Sequence, residues 1–162
     1  MFACAIHDNQ PDTHILVRDH LGQKPLYYFE HGQELVYASE LRALLALECL
    51  DWSIDRENFT RYLANSYYVW DTSPIKGVKK LLPGCFVEFK NGRTQLKRYW
   101  DSVPGDNQLD LTLDEASEQF TDLFDRNCQI SMRSDVPYGV LLSGGVDSSL
   151  ILQACHKHNP NI

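Results

Sequence analysis

An α+β domain followed by the opening of an α/β domain is the fold class predicted by three features of this 162-residue chain. Up to about residue 100, short aromatic and β-branched runs alternate with turn residues, with helical patterns between them. A polar stretch around Pro104 and Gly105 then interrupts the pattern. After it come one long amphipathic helical segment and a strand–turn–helix unit whose turn reads S-G-G-V-D-S-S. The domains are placed at residues 1–101 and 111–162, joined by a linker at 102–110.

The first domain opens on a strand at residues 2–6 that is apolar on both faces, as in a sheet covered on both sides. Residues 7–12 form a polar turn cluster. Strands are expected at residues 14–17, 26–29 and 34–38, with Gly22 and Pro25 shaping one turn and His31 and Gly32 another. Their order predicts an antiparallel meander. Ser39 and Glu40 begin a helix whose period runs through Leu41, Leu44 and Leu45 towards Glu48. Asp55 is a helix N-cap before Phe59, Tyr62 and Leu63. Residues 65–74 read as an irregular loop, and Asn91-Gly92 as a hairpin turn between strands at 86–89 and 94–100.

In the second domain, Thr112 to Glu115 fits a capping box. Ala116, Phe120, Leu123, Phe124 and Cys128 line one face of the helix it starts. Residues 139–142 are predicted as a short apolar strand, and a helical pattern resumes at Leu150.

The formal net charge of -7 excludes the basic face that a nucleic-acid partner needs, and no apolar run is long enough to span a bilayer. Without a basic and apolar leader, a cytoplasmic location is expected. The five cysteines, Cys4, Cys49, Cys85, Cys128 and Cys155, are unpaired in sequence, and each is expected to be a small buried hydrophobe. The histidines show no ligand spacing, and His156 and His158 are expected on a solvated helix end. Arg18 and Asp19 are expected to pair with each other or with neighbours. Tyr27, Tyr28 and Tyr37 are expected as core or interface aromatics.

The strand–turn–helix unit carries the chemistry. Gly144 and Gly145 let backbone amides approach an anion, and Ser143, Ser148 and Ser149 add hydroxyl donors. The positive end of the following helix faces the same place. Asp147 would repel a phosphate, so a cation must lie between them, and Asp147 is assigned to Mg²⁺. Leu142 and Val146 complete the lining, with Leu142 expected to touch the nucleotide. The bland alternative is a serine- and glycine-rich turn capping a core helix.

This turn resembles the pyrophosphate loop of the ATP pyrophosphatases, and it lacks the lysine of a G-x-x-x-x-G-K-S/T phosphate loop. Residues 133–142 before it, together with 18–28, 37–40, Gly77, 80–84 and 98–100, resemble glutamine-hydrolysing asparagine synthetases in the same order along nearly the whole chain. The resemblance implies the C-terminal part of an N-terminal-nucleophile (αββα) glutaminase domain. The start of a doubly wound, adenine nucleotide alpha hydrolase-like ATP-pyrophosphatase domain follows it. It also implies glutamine, aspartate and ATP as small-molecule substrates and ATP with Mg²⁺ at the loop; it admits a homodimer. In that family glutamine hydrolysis supplies ammonia, which displaces AMP from an aspartyl-AMP intermediate.

The chain departs from the family plan. Position 2 is Phe2 where the family places its nucleophilic cysteine, Cys4 lies inside a strand, and no catalytic residue is assigned. The aspartate site would lie beyond residue 162. The polypeptide by itself is therefore expected to be an inactive, partial product. Three rivals stand beside this reading: an amidotransferase of the same architecture acting on another carboxylate, a different pyrophosphate-loop ligase, and a short non-catalytic protein.

Overall fold

The computed structural model describes every residue except 11, 48–51, 104 and 106–108. The expected helical position of Glu48, the core role of Cys49 and much of the expected linker lie outside the described residues. The chain divides into two compact units, Met1–Pro104 and Gly105–Ile162.

In the first unit, β1 (Ala3–Asp8) and β2 (Thr13–Arg18) pair antiparallel, and β2 pairs with β6 (Cys85–Lys90). The neighbour of β6 is β7 (Arg93–Arg98), so the sheet runs β1-β2-β6-β7. The β6–β7 turn is the expected one. Asn91 at φ 52° and Gly92 at φ 71° both adopt the left-handed region that such a tight turn requires. A second sheet, ordered β4-β3-β5, holds β3 (Tyr27–His31), β4 (Glu34–Ala38) and the two-residue β5 (Lys79–Lys80).

The meander expectation is thereby corrected: β2 and β3 are consecutive in sequence but belong to different sheets. Burial drives the separation. Leu16 and Val87 from one sheet share a core with Tyr28 from the other, joined by Leu26, Leu81 and Cys85. Two inner faces that bury each other remove more apolar surface from water than one continuous sheet with a wet face. β1 is corrected as well. It is an edge strand with Cys4 exposed and Ile6 52% exposed, so it is not covered on both faces.

A second cluster forms around Phe29, Leu44 and Val78. Leu44 comes from α1 (Leu41–Leu45), whose N-cap is Glu40. α2 (Arg56–Asn65) starts as expected, with the Asp55 carboxylate accepting the Asn58 N–H at 3.0 Å.

The segment between the sheets is fixed by Arg18 and Asp19, both 4% exposed. They pair with backbone rather than with each other. The Arg18 guanidinium donates to the carbonyls of Lys24, Leu81 and Gly22 at 2.7, 2.6 and 2.5 Å. The Asp19 carboxylate accepts the N–H groups of Phe2, Gln23 and Lys24 at 3.2, 2.9 and 3.0 Å. Burial pushes the Asp19 carboxyl up, but the N–H donors, Lys24 foremost, outweigh it and hold the pKa at about 2. Of the three tyrosines, Tyr28 is buried, Tyr27 half-buried and Tyr37 exposed.

In the second unit, α3 (Leu113–Ser131) begins with the expected capping box: Thr112 accepts the Glu115 N–H, and Glu115 accepts the Thr112 N–H at 2.8 Å. α4 (Val146–His158) packs against it, with Cys128 and Cys155 buried between them. Asp125 of α3 meets Lys157 and His158 of α4 at 3.2 and 3.0 Å. Residues 139–142 are not a strand. Among the described residues none pairs with them in a ladder, and Leu141 is 97% exposed. A strand of a parallel sheet needs neighbours on its edges and faces. No helix among the described residues is long and apolar enough to cross a membrane.

Candidate functional site

All the predicted loop residues lie together at the N-terminus of α4. Gly144 sits at φ +81°, where a side chain would be strained, and an added Cβ would meet nothing within 4 Å. The space over the backbone is therefore open. Gly145 is the N-cap and offers no side-chain cap, so the first-turn amides of α4 project outward without an intrahelical partner. Val146 is 76% exposed and Leu142 55% exposed, so both face the loop's surroundings rather than a core.

The hydroxyls are already gathered. Ser143 Oγ and Ser148 Oγ lie 3.0 Å apart. Ser148 and Ser149 each donate to the Gly145 carbonyl, at 3.1 and 2.8 Å. The Gly145 N–H points to Ser143 Oγ at 3.4 Å. These bonds hold the turn in shape, and rotation about one χ1 frees each hydroxyl for an incoming anion. Asp147 stands in the first turn of α4, where a carboxylate also favours the helix dipole. It borders a groove of about 530 Å³ between α3 and α4, lined by Phe120, Phe124, Leu150 and Ile151. Open amides and adjacent hydroxyls can donate to an anion, and one carboxylate beside them can hold a cation.

Sequence reasoning missed a second concavity, of about 520 Å³, in the first unit. Arg18, Lys80 and Arg98 line it together with Trp70 and Trp100. Its residues come from distant segments, and only the unusual Arg18–Asp19 pair hinted at it. Among the described cysteines, Cys85, Cys128 and Cys155 are buried as expected, and Cys4 is exposed.

Comparison with known proteins places these features in a lineage. The family model described as glutamine amidotransferase domain matches residues 1–100. The chain belongs to that family. A second model, asparagine synthase, matches residues 119–162 and so contains the loop. Over 98% of its length the chain is 34% identical to asparagine synthetase B (glutamine-hydrolysing) of Escherichia coli, covering 24% of that protein. It is 29% identical to glutamine-hydrolysing asparagine synthetase 3 of Bacillus subtilis, over 98% of the chain and 26% of the relative. A protein named amidase chry2 from Gibberella zeae is 33% identical over 93% of the chain and 22% of its own length. The chain thus spans about a quarter of the length of the curated relatives it matches.

Proposed function

We propose that this chain carries the end of the glutaminase domain and the start of the synthetase domain of a cytoplasmic glutamine-hydrolysing asparagine synthetase. Residues 142–149 would be its pyrophosphate loop. The observation that carries the reading is the open, uncapped N-terminus of α4 at Gly144 and Gly145, inside the segment that matches the asparagine synthase family. In the whole enzyme, aspartate would be activated by ATP as aspartyl-AMP, and ammonia from glutamine would displace AMP.

The role of this chain's residues follows from charge. Pyrophosphate leaves carrying the negative charge that develops as the α–β phosphate bond breaks. The amides after Gly144 and the hydroxyls of Ser143, Ser148 and Ser149 are fixed donors for that charge, and fixed donors cost no reorganisation during reaction. Asp147 would hold Mg²⁺, which neutralises the phosphate oxygens. Leu142 would pack against the nucleotide.

We further infer that the 162-residue polypeptide alone forms no asparagine. Leu141, which would enter the sheet beneath the loop, is 97% exposed, so the strand that should anchor the loop is unsupported. The test combines calorimetric titration of magnesium pyrophosphate into the chain with an assay for asparagine from glutamine, aspartate and ATP. Binding that disappears in Asp147→Asn, with no asparagine formed, is expected. Pyrophosphate binding indifferent to Asp147 would remove the loop assignment, and asparagine formation would remove the inactivity.

A further inference from the structure

We propose that the tip of the β1–β2 hairpin is a divalent transition-metal site, with His7, Asp12 and His14 as its protein ligands. The site is separate from the loop at 143–149 and does not depend on the reading given to that loop.

The hairpin register sets His7 directly opposite His14. The two imidazoles lie face to face, with ring centroids 4.1 Å apart and planes 3° from parallel. Asp12 takes the left-handed conformation at φ 47° as the chain returns into β2. Its carboxylate Oδ1 stands 3.2 Å from His7 Nε2. One ligand atom from each of the three residues lies within 4.8 Å of the other two. Ligands on one tetrahedral ion, at bond lengths of about 2.0–2.1 Å, sit about 3.3–3.5 Å from each other. The His7–Asp12 pair, at 3.2 Å, stands just inside that spacing and needs only a small separation. Binding needs the stacked rings to turn out of parallel so that their in-plane nitrogens meet on the ion; His7 and Asp12 are exposed and His14 half-buried, so side-chain rotation can do this.

The donor set selects the ion. Two imidazole nitrogens and one carboxylate oxygen suit zinc and its first-row neighbours. Magnesium and calcium prefer all-oxygen shells. Three protein ligands leave a coordination position for water, as a solvent-facing hairpin tip permits. An exposed His–Asp pair without metal adds little stability, which gives little reason for this convergence of side chains. The ion would tie both strands and the turn into one chelate. Sequence spacing hides the site, because its histidines belong to adjacent strands rather than to one helix.

The experiment is titration of the 162-residue chain with Zn²⁺ by calorimetry and with Co²⁺ by visible absorption. One ion per chain is expected, with nitrogen and oxygen ligation and a rise in Tm on adding Zn²⁺. Changes one shell outside a metal already weaken binding about 10–100-fold, so His7→Ala and His14→Gln are each expected to weaken it about a hundredfold or more. Asp12→Asn should weaken it less, and His31→Ala and His158→Ala should leave it unchanged. Because β1 is an exposed edge, His7→Ala should keep the wild-type fold without metal, by circular dichroism. Failure of the wild-type chain to bind one ion would overturn the proposal. So would His7→Ala or His14→Gln binding as tightly as wild type, or a cobalt–thiolate charge-transfer band placing the ion on cysteine.

Discussion

The two units use apolar side chains in opposite ways. In the first, Leu16, Leu81 and Val87 are fully buried between two sheets, and Arg18 and Asp19 clamp the crossover between them. In the second, the described buried residues are Cys128 and Cys155, while Phe120 is 65% exposed, Leu123 55% and Leu141 97%. One unit builds a closed core from its own strands. The other presents a helical pair and a serine- and glycine-rich loop whose apolar side chains are exposed. The contrast separates two kinds of sequence information: the first unit's residues specify packing, and the second unit's loop carries the chemistry proposed above.

The comparison breaks first if core truncation is cheap in the first unit. Leu16→Ala should lower unfolding free energy by about 2–5 kcal/mol in urea titrations, through lost burial and the cavity left behind. Asp19→Ala should cost about 1–3 kcal/mol, because three part-buried N–H groups would lose their acceptor. The same carboxylate gives a pH signature. Its folded pKa of about 2 lies below the unfolded value of about 3.9, so its contribution is present above the unfolded value and fades as pH falls from about 4 towards 2. The stability gap between wild type and Asp19→Asn should therefore be narrower at pH 3 than at pH 5, and should close only as pH falls through about 2. In the second unit, Thr112→Ala should reduce α3 stability by about 1 kcal/mol, measured by helical circular dichroism on heating, through loss of the capping box. The smallest effect is expected at Leu141→Ala, within about 0.5 kcal/mol, since nothing packs on that side chain.

Local chemistry was legible in the sequence where a few adjacent residues decide it. Asn91-Gly92 dictates its turn, Asp55 and Thr112 cap their helices, and residues 143–149 declare a turn leading into a helix. Features decided by distant residues were not legible. The split of β2 and β3 between sheets depends on Leu16 meeting Tyr28, and nothing local to either predicts it. Arg18 finds Leu81 across the fold, a partner that no spacing reveals. The predicted strand at 139–142 failed for the converse reason: its apolar pattern is sound, but a pattern forms a strand only against partners.

Residue-resolved amide NMR of the chain during titration with magnesium pyrophosphate tests the central claim most directly. The account predicts saturable shifts concentrated at the amides of Gly144, Gly145, Val146, Asp147 and Ser148, absent in Asp147→Asn. Shifts centred elsewhere, or none at this turn while pyrophosphate binds, would contradict it.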